Sequence, residues 1–335
     1  QRSTVIALDA GTSSVKAVLA RVDARGCELL SEAVCAHAPP TGHAGVAEQD
    51  ALSWWASAVS AVNSLQGDVG CAATLSLSGQ MQSVVLVDQQ GMPLRAAMLY
   101  SDSRASEEAA ELERRFGLEV LEDRTLNWKG AVSVLPKLLW LQRHEPHLVS
   151  AASHVVLGAH DFLYLRFTGR HATDRTNAST SGLLNREGTA WALDLLREAG
   201  LSESLIAALP RLAPANEIAP ALAEISEIPF MSGRLVCLGS GDLGCTTIGA
   251  LGSAGVGESY CYLGTSGWVA TVRRGAAEPC GAFRVLSPLE DVAIVAAPMT
   301  TAGGNLSWLR ATFFSELEPS RGYEALDDEA CKVAP

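Results

Sequence analysis

Asp242 stands in Gly239-Ser240-Gly241-Asp242-Leu243-Gly244, after the apolar run Leu235–Leu238 and before a helical segment. Glycines there let another molecule approach the backbone, and the carboxylate projects into the space they leave. A carboxylate on a rigid strand end can take the proton of an attacking hydroxyl, which is what phosphoryl transfer asks of a protein besides positioning and charge neutralisation. Asp is also a common helix N-cap, and that reading stays open. A second carboxylate, Asp9, ends the run Thr4–Leu8 just before Gly11-Thr12-Ser13-Ser14. Such a turn can aim backbone N–H groups and hydroxyls at an anion. Asp9 is then placed to hold a hydrated Mg²⁺ that bridges nucleotide phosphates. Lys16 can neutralise developing charge if its strand turns it inward; a solvated surface hairpin is the alternative.

The elements around these residues alternate between strand and helix. Val15–Val22 continues the first turn as a strand, and Glu28–Ala36, Ala72–Leu77 and Ser83–Asp88 read as further strands. Asp50–Leu65 has helical spacing with Asp50 as its cap. Ser103–Phe116, Leu135–His144, Phe162–Phe167, Gly188–Gly200 and Ser202–Ala208 also read as helix, so the fold class is α/β. An internal echo follows: the strands Ser259–Leu263 and Trp268–Val272 flank Gly264-Thr265-Ser266-Gly267, repeating the first hairpin about 250 residues later. Two such hairpins imply a duplicated architecture whose turns face one another across a cleft. Neither turn has a lysine in Walker position, so neither is a P-loop, and no protein-kinase signature is present.

At 335 residues the expectation is two domains, divided into 1–247 and 248–335, with a hinge near Gly239–Gly244. The chain is 48% hydrophobic and 19% charged, enough to bury a sizeable core. A net charge of −12 argues against a nucleic-acid or anionic-membrane partner, but not against a nucleotide. The eight cysteines show no CxxC spacing, which points to free thiols and a cytoplasmic setting. No apolar stretch is long enough to span a bilayer. A homodimer is compatible with the sequence.

The chain resembles the FGGY carbohydrate kinases, and most of all their xylulokinase branch. The matching pieces run in order from Leu8-Asp9-Ala10-Gly11-Thr12-Ser13-Ser14-Val15-Lys16 through Ser78-Gly79-Gln80-Met81 to Leu99-Tyr100-Ser101-Asp102-Ser103-Arg104. They continue with Pro136-Lys137-Leu138-Leu139-Trp140-Leu141, Asp161 to Gly169, Gly241-Asp242, Leu263 to Gly267, and Ala302 to Arg310. The resemblance implies two actin-like (ribonuclease H-like) domains around an interdomain cleft, and transfer of the γ-phosphate of ATP, with Mg²⁺, to a sugar hydroxyl. It implies Asp242 as general base and Asp9 as the metal-associated aspartate. Gly11, Thr12 and Ser13 fall on one phosphate loop, Gly264, Thr265 and Ser266 on the other, and Gly303 on the nucleotide side. Met81 and Gln82 fall where the family meets the sugar. Asp102 and Arg104 match an element near that pocket, where a structural ion pair is an equal alternative.

Three departures shape the expectation further. Gln82-Ser83 stands where xylulokinases read His-Gly, and Leu243 stands where Asn follows the base. Both remove groups that bond sugar hydroxyls, which leaves ribulose, glycerol or another polyol beside a ketopentose. Family members also continue beyond this length, so the second domain is expected to be incomplete. A catalytically impaired sugar- or nucleotide-binding regulator and an actin-like assembly protein are the competing readings.

Overall fold

Alternation of buried and exposed residues sets up the first sheet. In Ser3–Ala10 (β1), Ile6, Leu8 and Ala10 are buried while Ala7 and Asp9 are exposed. The computed structural model describes residues 2–252, 255–264, 266–275, 281–299 and 301–333. With Ser14–Asp23 (β2), Gly26–Ala36 (β3), Thr74–Gly79 (β4), Ile218–Pro220 (β5) and Leu235–Gly241 (β6), β1 makes a six-stranded sheet in the order β5-β6-β4-β1-β2-β3. The meander β1-β2-β3 is antiparallel, whereas β4 runs parallel to both β1 and β6. The C-terminal ends of β1, β4 and β6 therefore meet at one edge, which is where Asp9, Gly79 and Asp242 stand.

Helix Ala51–Asn63 (α1) buries Trp54, Trp55, Ala58, Ala61 and Val62 on one stripe against that sheet. Its start follows the expected cap: Asp50 Oδ1 accepts from the Leu52 amide at 3.0 Å. Asp50→Ala is expected to lower stability by about 1 kcal/mol, seen as a lower urea midpoint with an unchanged slope. Helix Val134–His144 (α2) belongs to a second, largely helical layer built on Leu135, Leu138, Leu141, Leu195 and Leu205. Helix Ala159–Thr168 (α3) packs beside α1, with Phe162 edge-on to Trp54 at 6.0 Å between ring centres. Arg175–Ser179 (α4) and Asp242–Leu251 (α5) follow.

Ser259–Leu263 (β7), Gly267–Arg274 (β8), Phe283–Leu286 (β9) and Val292–Met299 (β10) form an antiparallel sheet in the order β7-β8-β10-β9, and Gly303–Phe313 (α6) comes after it. Both expected hairpins are present, each closed by the same tripeptide. Thr265 lies outside the described residues, so its expected role as a phosphate ligand has no structural description.

Two expectations need correction. Between Gly188 and Gly200 only Leu193–Glu198 is helical. Asn185 explains the shortening, because its side-chain oxygen accepts from the amides of Thr189 at 2.8 Å and Ala190 at 3.1 Å and folds that segment into a turn. The stretch Gly239–Gly244 is no slack hinge. Its residues are buried apart from the partly exposed Asp242, and α5 runs unbroken from Asp242 to Leu251, across the expected 247/248 boundary.

Candidate active site

The cleft that receives Asp242 has a volume of about 180 Å³ and lies between the two sheets. Thr12 of the first turn, Ser266 of the second, Met81, Gln82, Asp242 and Trp268 all line it. The sequence had separated these residues by up to about 250 positions.

Each wall is held from behind. The Thr12 carbonyl accepts from Gln49 Nε2 at 2.9 Å and lies 3.0 Å from His37 Nε2, and the Ser13 carbonyl accepts from the His37 amide at 3.1 Å. The Gly11 amide donates to the Ser14 carbonyl at 3.0 Å and the Thr12 hydroxyl to Gln80 Oε1 at 3.4 Å; Thr12 is the residue of this turn that lines the cleft, and its hydroxyl is a donor that suits a phosphate. At the second turn the Gly264 amide donates to the Ser266 carbonyl at 2.8 Å, and the Gly264 carbonyl accepts from the Gly303 amide at 2.8 Å. Gly303 is thus brought to the second turn, at the start of α6.

Asp242 is the first residue of α5, and its Oδ1 accepts from the Leu243 amide at 2.8 Å. Burial, and then the nearby charge of Asp9, push its carboxyl up to about 7. Asp9 is exposed and accepts from Ser78 Oγ at 2.8 Å. Two carboxylates that repel across one space form a set that a divalent cation relieves, so these residues fit Mg²⁺.

Met81 is only 8% exposed and packs with Leu243, Ala270, Val285 and Ile294, closing the floor between the sheets. Gln82 has φ 58°, donates through Nε2 to the Thr180 carbonyl at 2.6 Å, and takes Asn177 Oδ1 on its amide at 3.2 Å. Behind it the fully buried Lys137 donates to the Leu99 carbonyl at 2.6 Å and reaches the Gln82 carbonyl at 3.4 Å. Burial brings the Lys137 amine down to about 7.

Asp102, Arg104 and Lys16 are not among the residues that line the cleft. Asp102 is fully buried; its Oδ2 accepts from the Ala47 amide at 2.8 Å and from Arg104 Nη2 at 2.5 Å. Although burial opposes it, Arg104 and the Ala47 amide hold this carboxyl below its ordinary range. Arg104 also pairs with Glu48 at 2.7 Å, which in turn pairs with Arg95. That is the ion-pair alternative, sited behind the loop that carries Tyr100. Lys16 faces Asp9 in the strand register but extends along the sheet, 4.0 Å from Glu32 and 52% exposed.

Four contributors were missed by sequence reasoning. Gln80, Tyr100, Thr180 and Trp268 line the cleft; Gln80 and Tyr100 lie within matching pieces of the sequence without a role assigned, Trp268 starts an expected strand, and Thr180 carries no signal. Beneath the floor lies a fully buried trio: His160 Nε2 is 3.0 Å from both Asp161 Oδ1 and Asp174 Oδ1. The three are close enough to hold a metal. Asp174, however, already accepts from Ser240 Oγ at 2.8 Å, the Thr176 amide at 2.8 Å and the Gly241 amide at 3.2 Å. That many donors describe an ion-paired network instead.

The two sheets are joined by more than the floor. Asn127 exchanges hydrogen bonds with the Arg284 backbone at 2.9 and 3.0 Å, and Thr176 Oγ1 donates to the Leu286 carbonyl at 2.7 Å. The Tyr260 hydroxyl meets Thr247 Oγ1 at 2.8 Å and accepts from Trp268 Nε1 at 3.0 Å, linking the second hairpin to α5. Tyr260→Phe is expected to cost about 1–2 kcal/mol in thermal unfolding and to weaken ligand-induced quenching of Trp268 fluorescence.

An α/β protein with paired hairpin turns across a cleft is the class that this geometry defines. The family model described as "FGGY family of carbohydrate kinases, N-terminal domain" matches residues 4–249. The chain belongs to the FGGY family of carbohydrate kinases. It is 33% identical over 279 residues to the xylulose kinase of Streptomyces rubiginosus, covering 83% of this chain and 56% of that protein. The chain thus spans a little over half the length of this curated relative. In fold it matches the crystal structure of xylulose kinase from Rhodospirillum rubrum with a TM-score of 0.83 at 24% identity, over 100% of this chain and 67% of that one. It also matches Plasmodium falciparum glycerol kinase with ADP, with a TM-score of 0.78 at 18% identity, over 95% of this chain and 65% of that one. Among the described residues no helix is long and apolar enough to cross a membrane, and all seven cysteines are free.

Proposed function

We propose that this chain carries the acceptor side and the first phosphate loop of an ATP-dependent sugar kinase, acting on a ketopentose such as xylulose or a related sugar or polyol. The observation that carries the reading is the single cleft lined at once by Thr12, Ser266 and Asp242. Asp242 takes the proton of the acceptor hydroxyl as its oxygen attacks the γ-phosphorus, and the bond to the ADP oxygen breaks in line. A carboxyl poised near 7 suits a base that works at neutral pH. Gly11, Thr12 and Ser13 hold phosphate oxygens from one side, and Gly264, Thr265 and Ser266 from the other, with Gly303 supporting the second turn. Asp9 would hold the Mg²⁺, which would supply charge neutralisation at the phosphates, and Lys16 contributes at longer range. Met81 and Gln82 shape the acceptor pocket, while Asp102 and Arg104 act on it by fixing the Tyr100 loop. We assign residues 1–247 to the sugar-binding domain and 248–335 to the nucleotide-binding one, in a cytoplasmic enzyme.

The fold match to a glycerol kinase keeps polyols in view beside ketopentoses. A coupled ADP-release screen of the full chain against pentuloses, hexuloses, pentitols and glycerol decides among them. Xylulose is expected to give the highest kcat/KM; background rates with every acceptor would refute the kinase reading.

A further inference from the structure

The strand that delivers Asp242 leaves its neighbour before its end. The pairing of β6 with β4 slips between Cys237 and Ser240, where the Leu238 and Gly239 amides turn to the carbonyls of Glu217 and Ala215, each at 2.9 Å. After the slip Ser240 and Gly241 pair again with Ser78 and Gly79 of β4, and one carboxylate ties them from the other side. Asp174 accepts from Ser240 Oγ and the Gly241 amide, and caps α4 through the Thr176 and Asn177 amides at 2.8 and 3.3 Å. A buried carboxylate in such a place is tolerated only against a positive partner. His160 supplies it at 3.0 Å, and although burial opposes the charge, Asp161 and Asp174 carry its imidazole up to about 10. Asp161 is itself held by Asn177 Nδ2 at 2.8 Å.

We propose that Asp174, paired with His160, is the positioning residue of the phosphoryl-transfer site: it clamps the last two residues of β6 so that Asp242 faces the cleft. The inference rests on Asp242 being the base, and it adds a part of the machinery that never touches the acceptor. No side-chain contact links Asp174 to the cleft itself; it reaches Asp242 through the Ser240 hydroxyl and the Gly241 peptide, and it reaches Gln82 through α4, whose Asn177 Oδ1 accepts from the Gln82 amide. The Ser240 branch can be cut alone: acceptor binding should be indifferent to its loss, and turnover should not be, because a base displaced by a fraction of an ångström loses its alignment.

The test uses the full chain with Asp174→Asn, Ser240→Ala and Asp242→Asn, each normalised to active sites by stoichiometric sugar binding followed through Trp fluorescence without nucleotide. Asp174→Asn is expected to lower kcat by up to about 10²-fold, and Ser240→Ala by about tenfold, the latter with sugar affinity within about threefold of the wild type. Adding Ser240→Ala to Asp242→Asn should cost nothing more, since the Ser240 bond acts only through that carboxylate. Normalised kcat unchanged in both Asp174→Asn and Ser240→Ala, or a further loss in the double variant, overturns the proposal. If Asp174→Asn does not fold, Ser240→Ala alone decides. Wild-type turnover in Asp242→Asn instead brings down the base assignment, which keeps the two failures distinct.

Discussion

Asp242→Ala is expected to lower kcat by about 10²–10⁴-fold while sugar affinity and the unfolding transition are retained, because only the proton acceptor is removed. The pH dependence sharpens the expectation. The carboxyl must be ionised to act, so kcat/KM of the wild type should fall as pH drops through about 7, and that limb should disappear in the residual rate of the variant. Stability moves the other way. Between the ordinary carboxylate range and about 7 the folded protein holds a proton on Asp242 that the unfolded chain has lost, so this residue makes stability fall as pH rises through that window. Asp242→Asn should therefore have a higher Tm than the wild type at pH 8. An equal or lower Tm there would contradict the burial, and after it the nearby charge of Asp9, that raise the carboxyl.

The second large effect lies three residues upstream. Gly239 has φ +70°, and a Cβ there would sit 1.6 Å from the Leu77 carbonyl oxygen and 2.6 Å from its carbon. No side-chain rotation relieves a clash with backbone in the middle of the sheet. Gly239→Ala combines that clash with a left-handed backbone that L-residues resist, and is expected to cost roughly 4 kcal/mol or more. A shift of the denaturation midpoint below about 1 kcal/mol would show that β4 and β6 can part locally. Such parting would also detach the segment from Gly239 to Asp242 from its sheet.

How much of this was legible beforehand follows from where the information resides. The two hairpins could be read because a turn of Gly, Thr and Ser is a local decision, taken by residues next to each other. Asp242 could be read because the glycines around it announce a close approach. The trio His160, Asp161 and Asp174 could not: its members pair with Ser240 and Gly241 only after β4, β6 and α4 are assembled, and each alone resembles an ordinary cap or surface charge. Asp102 and Arg104 carried a motif but not its direction, and folding turned the pair away from the cleft toward Glu48 and Ala47. Two strands of the second sheet, β9 and β10, escaped for another reason. Val292–Met299 is apolar almost throughout, with Ile294 and Ala296 buried on one side and Ala297 and Met299 exposed on the other, so hydropathy marks no alternation.

The side-chain stitching of β9 to Asn127 and Thr176 has a mechanical corollary. Together with the apolar floor and the Tyr260–Thr247 link, this seam ties the two lobes as a spine ties the covers of a book. Here the spine runs through α4, the short helix that Asp174 also caps. Any swing that narrows the gap between Thr12 and Ser266 thus turns about the same few residues that set the angle of Asp242, and the catalytic alignment travels with the spine rather than with the moving page.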